Sequence, residues 1–162
     1  MEHIQFIPAG CGDLRTIAEL RKQIWETTYR GIHTDEMIDH FNFDWHIEKD
    51  RRKLIDSSFH VYLLALDGQI VGYLMYQFQN EILHLHSLNI IKPAQRKGLG
   101  RAALAHVRAF GQDMGVYLFH LQCNPWNNNA LAFYQAMGGV IFREDLENEE
   151  RYMDTVWFRF PV

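Results

Sequence analysis

The amino-acid sequence predicts a mixed α/β (α+β) domain with antiparallel neighbours around a central sheet. Three observations carry this. Residues 59–66 form a continuous apolar run, Asp67-Gly68 is a hairpin signal, and 70–78 follows with alternating apolar and polar residues. Leu14, Ile17, Leu20 and Ile24 recur at helical spacing, as do Leu99, Ala103, His106, Phe110 and Met114. Strand-like and helix-like stretches alternate from end to end, the pattern of helices packed on one sheet.

Ile4 and Phe6, with Pro8, belong to a short first strand. Asp13 is placed as N-cap of a helix running to about Tyr29, whose apolar row opposes Arg15, Glu19, Lys22 and Glu26. Gly31 ends it, and Thr34 followed by Asp35 and Glu36 starts a second short helix. Asp44 is a candidate cap for a third, carrying Ile47, Arg51, Leu54 and Ile55 on one side. After the hairpin, Asn80 marks a turn and 81–91 reads as a third long strand. The helix that begins near Leu99 leads to a strand at 117–123 and a helix at 127–137, stopped by Gly138-Gly139. Strands at 140–146 and 152–160, joined by an acidic loop, close the chain. The predicted order is β-α-α-β-β-β-α-β-α-β-β, in which the Asp44 helix is not counted.

No repeat, low-complexity tract or Pro/Ser-rich linker divides the 162 residues, so residues 1–162 are expected to be one domain. With 48% hydrophobic residues, that length suffices for a good core. A net charge of −4 argues against a general nucleic-acid binder, and it is too small to identify a cationic partner by itself. Two cysteines, Cys11 and Cys123, make neither a disulfide framework nor a C-x-x-C metal site, and no metal is expected. Met1-Glu2-His3-Ile4-Gln5 lacks the basic-then-apolar pattern of a leader, and no 18-residue apolar run occurs. The expectation is a soluble, cytoplasmic protein without a membrane partner; a homodimer is left open.

The segment richest in chemistry is Gln95-Arg96-Lys97-Gly98-Leu99-Gly100, lying between an apolar strand and a helix. The first N–H groups of a helix have no intrahelical partner and sit at the positive end of its macrodipole. Glycines there let a phosphate approach the backbone, and Arg96, Lys97 and Arg101 surround it with cations. Neither G-x-x-x-x-G-K-[ST] nor G-x-G-x-x-G is present, Ala103 filling the last position of the latter. The segment does resemble the acetyl-CoA loop of the GCN5-related N-acetyltransferase (GNAT) superfamily, Q/R-x-x-G-x-G/A, here Gln95-x-x-Gly98-x-Gly100. Lys92-Pro93 departs from it, many members having the proline one position earlier. A second motif, Asn127-x-x-Ala130-x-x-Phe133-Tyr134-x-x-x-Gly138, is similar to the helix after that family's fifth strand. Together the two imply a GNAT fold over nearly the whole chain, its sheet splayed at an acetyl-CoA site.

The resemblance implies roles. Acetyl-CoA would be the cosubstrate, held by Gln95, Arg96, Lys97, Gly98, Leu99, Gly100 and Arg101, with backbone pairing of its pantetheine to Leu88 and Ile90 and a contact from Asn127. Asn124 is a weaker candidate and suits a turn equally well. Tyr134 would be the general acid, although a core aromatic beside Leu131 and Phe133 is the plain alternative. Attack on a thioester needs a neutral amine, an oxyanion donor and a proton for the departing thiolate, and no covalent enzyme nucleophile. His84 and His86, two apart, would share one strand face with Ile82, Leu88 and Ile90, and histidine titrates in the range a base requires. Such a pair is similar to that of arylalkylamine N-acetyltransferases; a structural histidine pair is the alternative, and Glu81 is a further candidate base. In the superfamily, the acceptor is framed by the loop between the first two helices, here with Trp25, Tyr29, Gly31 and Ile32, and by the last interstrand loop, here with Glu144, Asp145, Glu147, Glu149 and Glu150. Aromatics and carboxylates suit an amine cation. The expected activity is N-acetylation of a small primary amine or polyamine, of the bacterial small-molecule type. Acetylation of a protein N-terminus or lysine, and a non-catalytic CoA-binding module, remain the alternatives.

Overall fold

Why the middle of the chain becomes sheet is visible in its burial. In the computed structural model, which describes residues 2–162, Val71 to Tyr76 are buried on both faces of one strand. Met1, the first residue of the stretch read for a leader, lies outside the described residues. The strands are β1 (Ile4–Pro8), β2 (Phe59–Leu66), β3 (Gln69–Gln79), β4 (Ile82–Ile90), β5 (Leu118–Cys123), β6 (Val140–Asp145) and β7 (Thr155–Pro161). The helices are α1 (Leu14–Thr28), α2 (Asp35–Asp39), α3 (Phe43–Ile55), α4 (Leu99–Met114) and α5 (Asn128–Ala136). Three helices, not two, therefore separate the first strand from the second.

All seven strands join one sheet in the order β1-β2-β3-β4-β5-β7-β6. Every neighbouring pair is antiparallel except β4 and β5, which are parallel and joined by the crossover through α4. That parallel pairing is short, matching only His84 with His120 and Leu85 with Leu121. Beyond it the two strands separate, and the sheet is open from residue 86 of β4 onward.

The two faces of the sheet carry two cores. On one, Leu74, Tyr76, Leu83, Leu85, Phe119, Leu121, Phe158 and Phe160 pack with Leu99, Ala103, Leu104 and Val107 of α4 and with Tyr134 of α5. On the other, Val61, Leu63, Tyr73 and Met75 meet Ile17, Leu20 and Ile24 of α1. A charged pair sits at the edge of this second core: Arg21 of α1 reaches Asp50 of α3 with contacts of 2.6 and 3.2 Å, and Asp50 is 2% exposed. Such a pair fixes how α3 lies on α1 more than it adds stability.

Several boundaries differ from the sequence reading. Asn42, not Asp44, caps α3, its Oδ1 accepting from the Trp45 N–H at 3.0 Å. Asp13 holds the N-cap position of α1 as predicted, but its carboxylate accepts from the Gly10 N–H at 2.8 Å, closing a short 3-10 turn, and makes no cap bond to the helix. Thr34 does cap α2, and Asn127 caps α5. Residues Arg151–Met153 form a 3-10 turn, so the last strand begins only at Thr155.

Candidate active site

The turn between β3 and β4 and a bulge within β4 decide which side chains face the opening. Asn80 and Glu81 both adopt positive φ, 53° and 64°, as a two-residue hairpin turn requires. Glu81 is thus exposed in the turn at the far end of the strand, five residues before His86 and roughly 17 Å from it along an extended chain. It lies outside the cleft, so the structure does not place it as a base. Between Met75–Ser87 and Tyr76–Leu85 the register shifts, which leaves His86 as an extra residue of β4. The bulge reverses the alternation. Leu83 and Leu85 before it and Leu88 and Ile90 after it all turn toward the α4 core, although odd numbers give way to even. The expectation that the histidines share a face with Leu88 and Ile90 is therefore corrected. His84 and His86 do stay together, their rings edge-on with centroids 4.6 Å apart.

Past the bulge, a cleft of about 600 Å³ opens between β4 and β5. Leu85 to Ile90 form one wall, Leu121 to Asn124 the other. Ile24 and Thr28 of α1, with Tyr29 just after it, close one side; Asn127, Ala130, Phe133 and Tyr134 close the other. Gln95, Arg96, Gly98, Gly100 and Arg101 form its end.

That end is built from unusual backbone. Arg96 at φ 62° and Gly98 at φ 89° are both left-handed, so the loop curls tightly before α4. Gln95 fastens it to the strand by donating from Nε2 to the Ile90 carbonyl at 3.0 Å. The first intrahelical bond of α4 is donated by Ala102 to the Gly98 carbonyl, and no side chain caps the helix. The N–H groups of Leu99, Gly100 and Arg101 are therefore directed out of the helix end, a concavity suited to an anion. The two glycines serve different ends. Gly98 has open space where a Cβ would be, so its conformation is what demands glycine. A Cβ on Gly100 would come within 2.8 Å of the Phe133 ring, so that glycine lets α5 pack against α4. Two side chains named from the sequence point elsewhere. Lys97 lies 3.6 Å from Glu2 and away from the cleft, and Leu99 is buried in the core, leaving only its backbone to a ligand.

Tyr134 is buried in ring and open at its hydroxyl. The ring packs beside Phe133, Phe158 and Phe160. Burial pushes its pKa up, Cys123 and Tyr29 adding to the shift, so the group is a phenol holding its proton at neutral pH. Its hydroxyl has no hydrogen-bond partner among the described residues and faces the cleft with the rest of that wall. Asn127 joins the two sides: its Oδ1 accepts from the Ala130 N–H, and its Nδ2 donates to the Tyr29 hydroxyl at 3.5 Å. Cys123, to which the sequence assigns no role, also lines the cleft, its thiol pushed up to about 12 by burial.

The histidines differ from the expectation of a pKa near neutrality. Burial lowers His86 to about 4, with His84, Lys53 and Lys49 contributing, and lowers His84 with help from His120. His86 is held by Gln77, its Nε2 3.1 Å from Oε1. Both imidazoles are neutral at pH 7.

Of the acceptor candidates, Tyr29 lines the cleft, whereas Trp25 packs within an aromatic cluster against His33, Phe41 and His46. Ile32 is buried and, with His33, Asp35, Glu149 and Glu150, lines a second, more open groove of about 430 Å³. The predicted pair of loops does meet there. Arg151 stacks over Trp126 at 4.2 Å and reaches toward the Gly31 carbonyl at 3.5 Å. Glu144 and Asp145 belong to β6 and lie outside both hollows.

Comparisons with known proteins show the family and the fold. The family model described as Acetyltransferase (GNAT) family matches residues 17–139. A spermidine N(1)-acetyltransferase of Thermoplasma acidophilum is 23% identical over 151 residues, covering 88% of this chain and 90% of that protein. Among solved structures, the PaiA N-acetyltransferase of T. acidophilum in complex with coenzyme A superposes with a TM-score of 0.85 at 18% identity, over 99% of each chain. An acetyltransferase from Thermus thermophilus gives 0.76 at 23% identity, covering 98% of this chain and 97% of its own. At these identities the superpositions speak to fold.

Proposed function

For a chain that belongs to the GNAT acetyltransferase family, we propose transfer of the acetyl group of acetyl-CoA to a primary amine of a small molecule or polyamine, by direct attack. The observation that carries this reading is the break between β4 and β5, which leads from an uncapped helix end to a protonated tyrosine. From residue 86 onward the peptide groups of β4 on the β5 side have no partner strand. An extended amide-bearing arm pairs with such an edge as an added strand would. The N–H groups at the start of α4, with Arg96 and Arg101, suit the charge of a pyrophosphate, and about 600 Å³ falls in the range of ligand pockets. The resemblance to a spermidine acetyltransferase supports an amine, and a polyamine among amines, as acceptor.

Acetyl-CoA supplies an activated thioester. The residues of this chain do the rest. Leu88 and Ile90 align the arm through their backbone. Tyr134 holds a proton at Oη for the sulfur that leaves. His86, neutral and lining the cleft, takes the proton the amine sheds and shares it with His84. Trp25 keeps the first helix-to-helix loop in shape, and Tyr29 and Ile32 border the acceptor's path.

A thiol-release assay with acetyl-CoA over a panel of polyamines, arylalkylamines and peptides tests this. The wild type should release thiol with a small amine. Tyr134→Phe should retain CoA affinity and lose turnover on the order of 10²–10⁴-fold. Turnover with peptides alone would move the reading to protein acetylation. CoA binding without turnover on any acceptor would leave a binding module.

A further inference from the structure

Asn89 is a residue of the cleft held from the buried layer beneath it. Three positions beyond the bulge residue His86, it projects to the α1 side of the sheet, opposite to Leu88 and Ile90. Its Nδ2 donates to the Tyr73 hydroxyl at 3.1 Å. Tyr73 is 1% exposed and cannot turn away, because the Arg21 guanidinium lies 5.2 Å from its ring centroid and is itself forked onto Asp50. With Nδ2 engaged, Oδ1 is the free end of the amide. It has no partner among the described residues, and Asn89 lines the cleft where Ile24 and Thr28 of α1 face it. The bond to Tyr73 holds the Asn89 amide in place.

We propose that Asn89, positioned by Tyr73, binds the acceptor amine by taking one of its N–H groups through Oδ1. This rests on the N-acetyltransfer reading above. The phosphate-binding loop and Tyr134 lie on the α4 and α5 side, so the second reactant arrives from the α1 side, where Asn89 points. An attacking amine must direct its lone pair at the acetyl carbon, which turns its N–H bonds away from that carbon and toward an acceptor. A neutral amide oxygen accepts such a bond without stabilising the unreactive ammonium, as a carboxylate would. Tyr73 is a positioning residue: it touches no reactant and acts by holding the amide.

Steady-state kinetics with one accepted amine and acetyl-CoA test the proposal on Asn89→Ala, Asn89→Asp, Tyr73→Phe and the Asn89→Ala/Tyr73→Phe double variant. Asn89→Ala should raise KM for the amine roughly three- to tenfold, the effect of one lost neutral hydrogen bond. KM for acetyl-CoA should stay within about twofold of wild type. Asn89→Asp should move the limb of kcat that reports the bound amine to higher pH, because a carboxylate favours the ammonium. Tyr73→Phe should act in the same direction, and the double variant should be no worse than Asn89→Ala, since Tyr73 works only through Asn89. An equal rise in KM for acetyl-CoA would assign Asn89 to the other reactant and overturn the proposal. So would an unchanged amine KM, or additive effects in the double variant. A wild type that turns over no amine at all would instead overturn the N-acetyltransfer reading, and this proposal with it.

Discussion

At the scale of single residues, the proposed base is where environment outweighs residue type. Histidine suits the role by type because it ordinarily titrates near neutrality, yet packing lowers His86 to about 4. The base form is therefore fully present at pH 7, with less thermodynamic pull on a proton than a free imidazole has. In the proposed role the unprotonated ring is the active form, so an enzyme-borne limb of kcat/KM should fall as pH drops through about 4. The limb seen near or above neutrality should belong to the amine and move when the amine is changed. A fixed limb near 6.5 that vanishes in His86→Gln would show that the ring is better solvated than its packing implies. Sequence carries the identity of these groups but not their setting. Nothing in Leu85-His86-Ser87 announces a bulge, so an unbroken alternation puts Leu88 and Ile90 on the histidine face. Glu81 reads as strand because a glutamate at positive φ is uncommon, and the two-residue turn of Asn80 and Glu81 demands one. Asn89 reads only as a residue facing away from Leu88. Its bond to Tyr73 joins positions 16 residues apart on two strands, and only the β3–β4 register brings them together.

Among elements, the loop into α4 is legible because its chemistry is local: glycines, cations and a helix start all fall within seven residues. What the motif does not show is that its glycines answer to different constraints. Gly98→Ala keeps open space around the new methyl but strains a φ of 89°, so the loop should reshape while the fold persists. A melting temperature within a few degrees of wild type and a CoA affinity reduced about tenfold or more are expected. Gly100→Ala drives a methyl into the Phe133 ring and should lose about 1–3 kcal/mol of stability together with affinity. Thermal melts paired with CoA titrations separate the two. Equal melting temperatures in both variants would mean that α5 yields freely and that the Phe133 contact is not a packing constraint. The cap of α3 is legible by type and misplaced by position: Asp44 and Asn42 both suit an N-cap, and only the packing of α3 chooses between them.

For the molecule as a whole, imidazoles packed on both faces of the sheet make stability sensitive to acid. On the α4 side His60 and His106 pack around Tyr76 and burial lowers both; the α1–α3 side holds His33 and His46. His46 is stacked on Phe41 at 4.3 Å and met edge-on by Trp25, and burial lowers it to about 4; His33 is lowered likewise, with Nδ1 buried and unpartnered. A histidine whose folded pKa lies below its unfolded value near 6.5 contributes stability that is complete above 6.5 and is lost as pH falls toward 4. For His46 that amounts to at most about 3 kcal/mol. Urea midpoints should therefore drop between pH 7 and 4.5, and His46→Phe should flatten part of that slope. A slope unchanged in His46→Phe would assign the acid sensitivity to other groups. This arrangement is out of reach of the sequence, since periodicity says which residues are inside but not which helices share them. The strand order is equally hidden: β7 inserts between β5 and β6, a choice no local pattern records.

The two-pair junction of β4 with β5 has a mechanical side as well. Beyond Leu85 and Leu121, the halves of the sheet, β1 to β4 and β5 to β6, are joined by no ladder bond but by the helices laid across them, through Ala103 and Val107 of α4 and Leu131 and Tyr134 of α5. The sheet behaves as two plates under one laminate. The gap between the plates can widen or narrow by sliding of side chains, with every peptide hydrogen bond of both plates intact. Its width is set by apolar side chains of α4 and α5, so it can drift by single apolar substitutions while the strands on either side stay as they are.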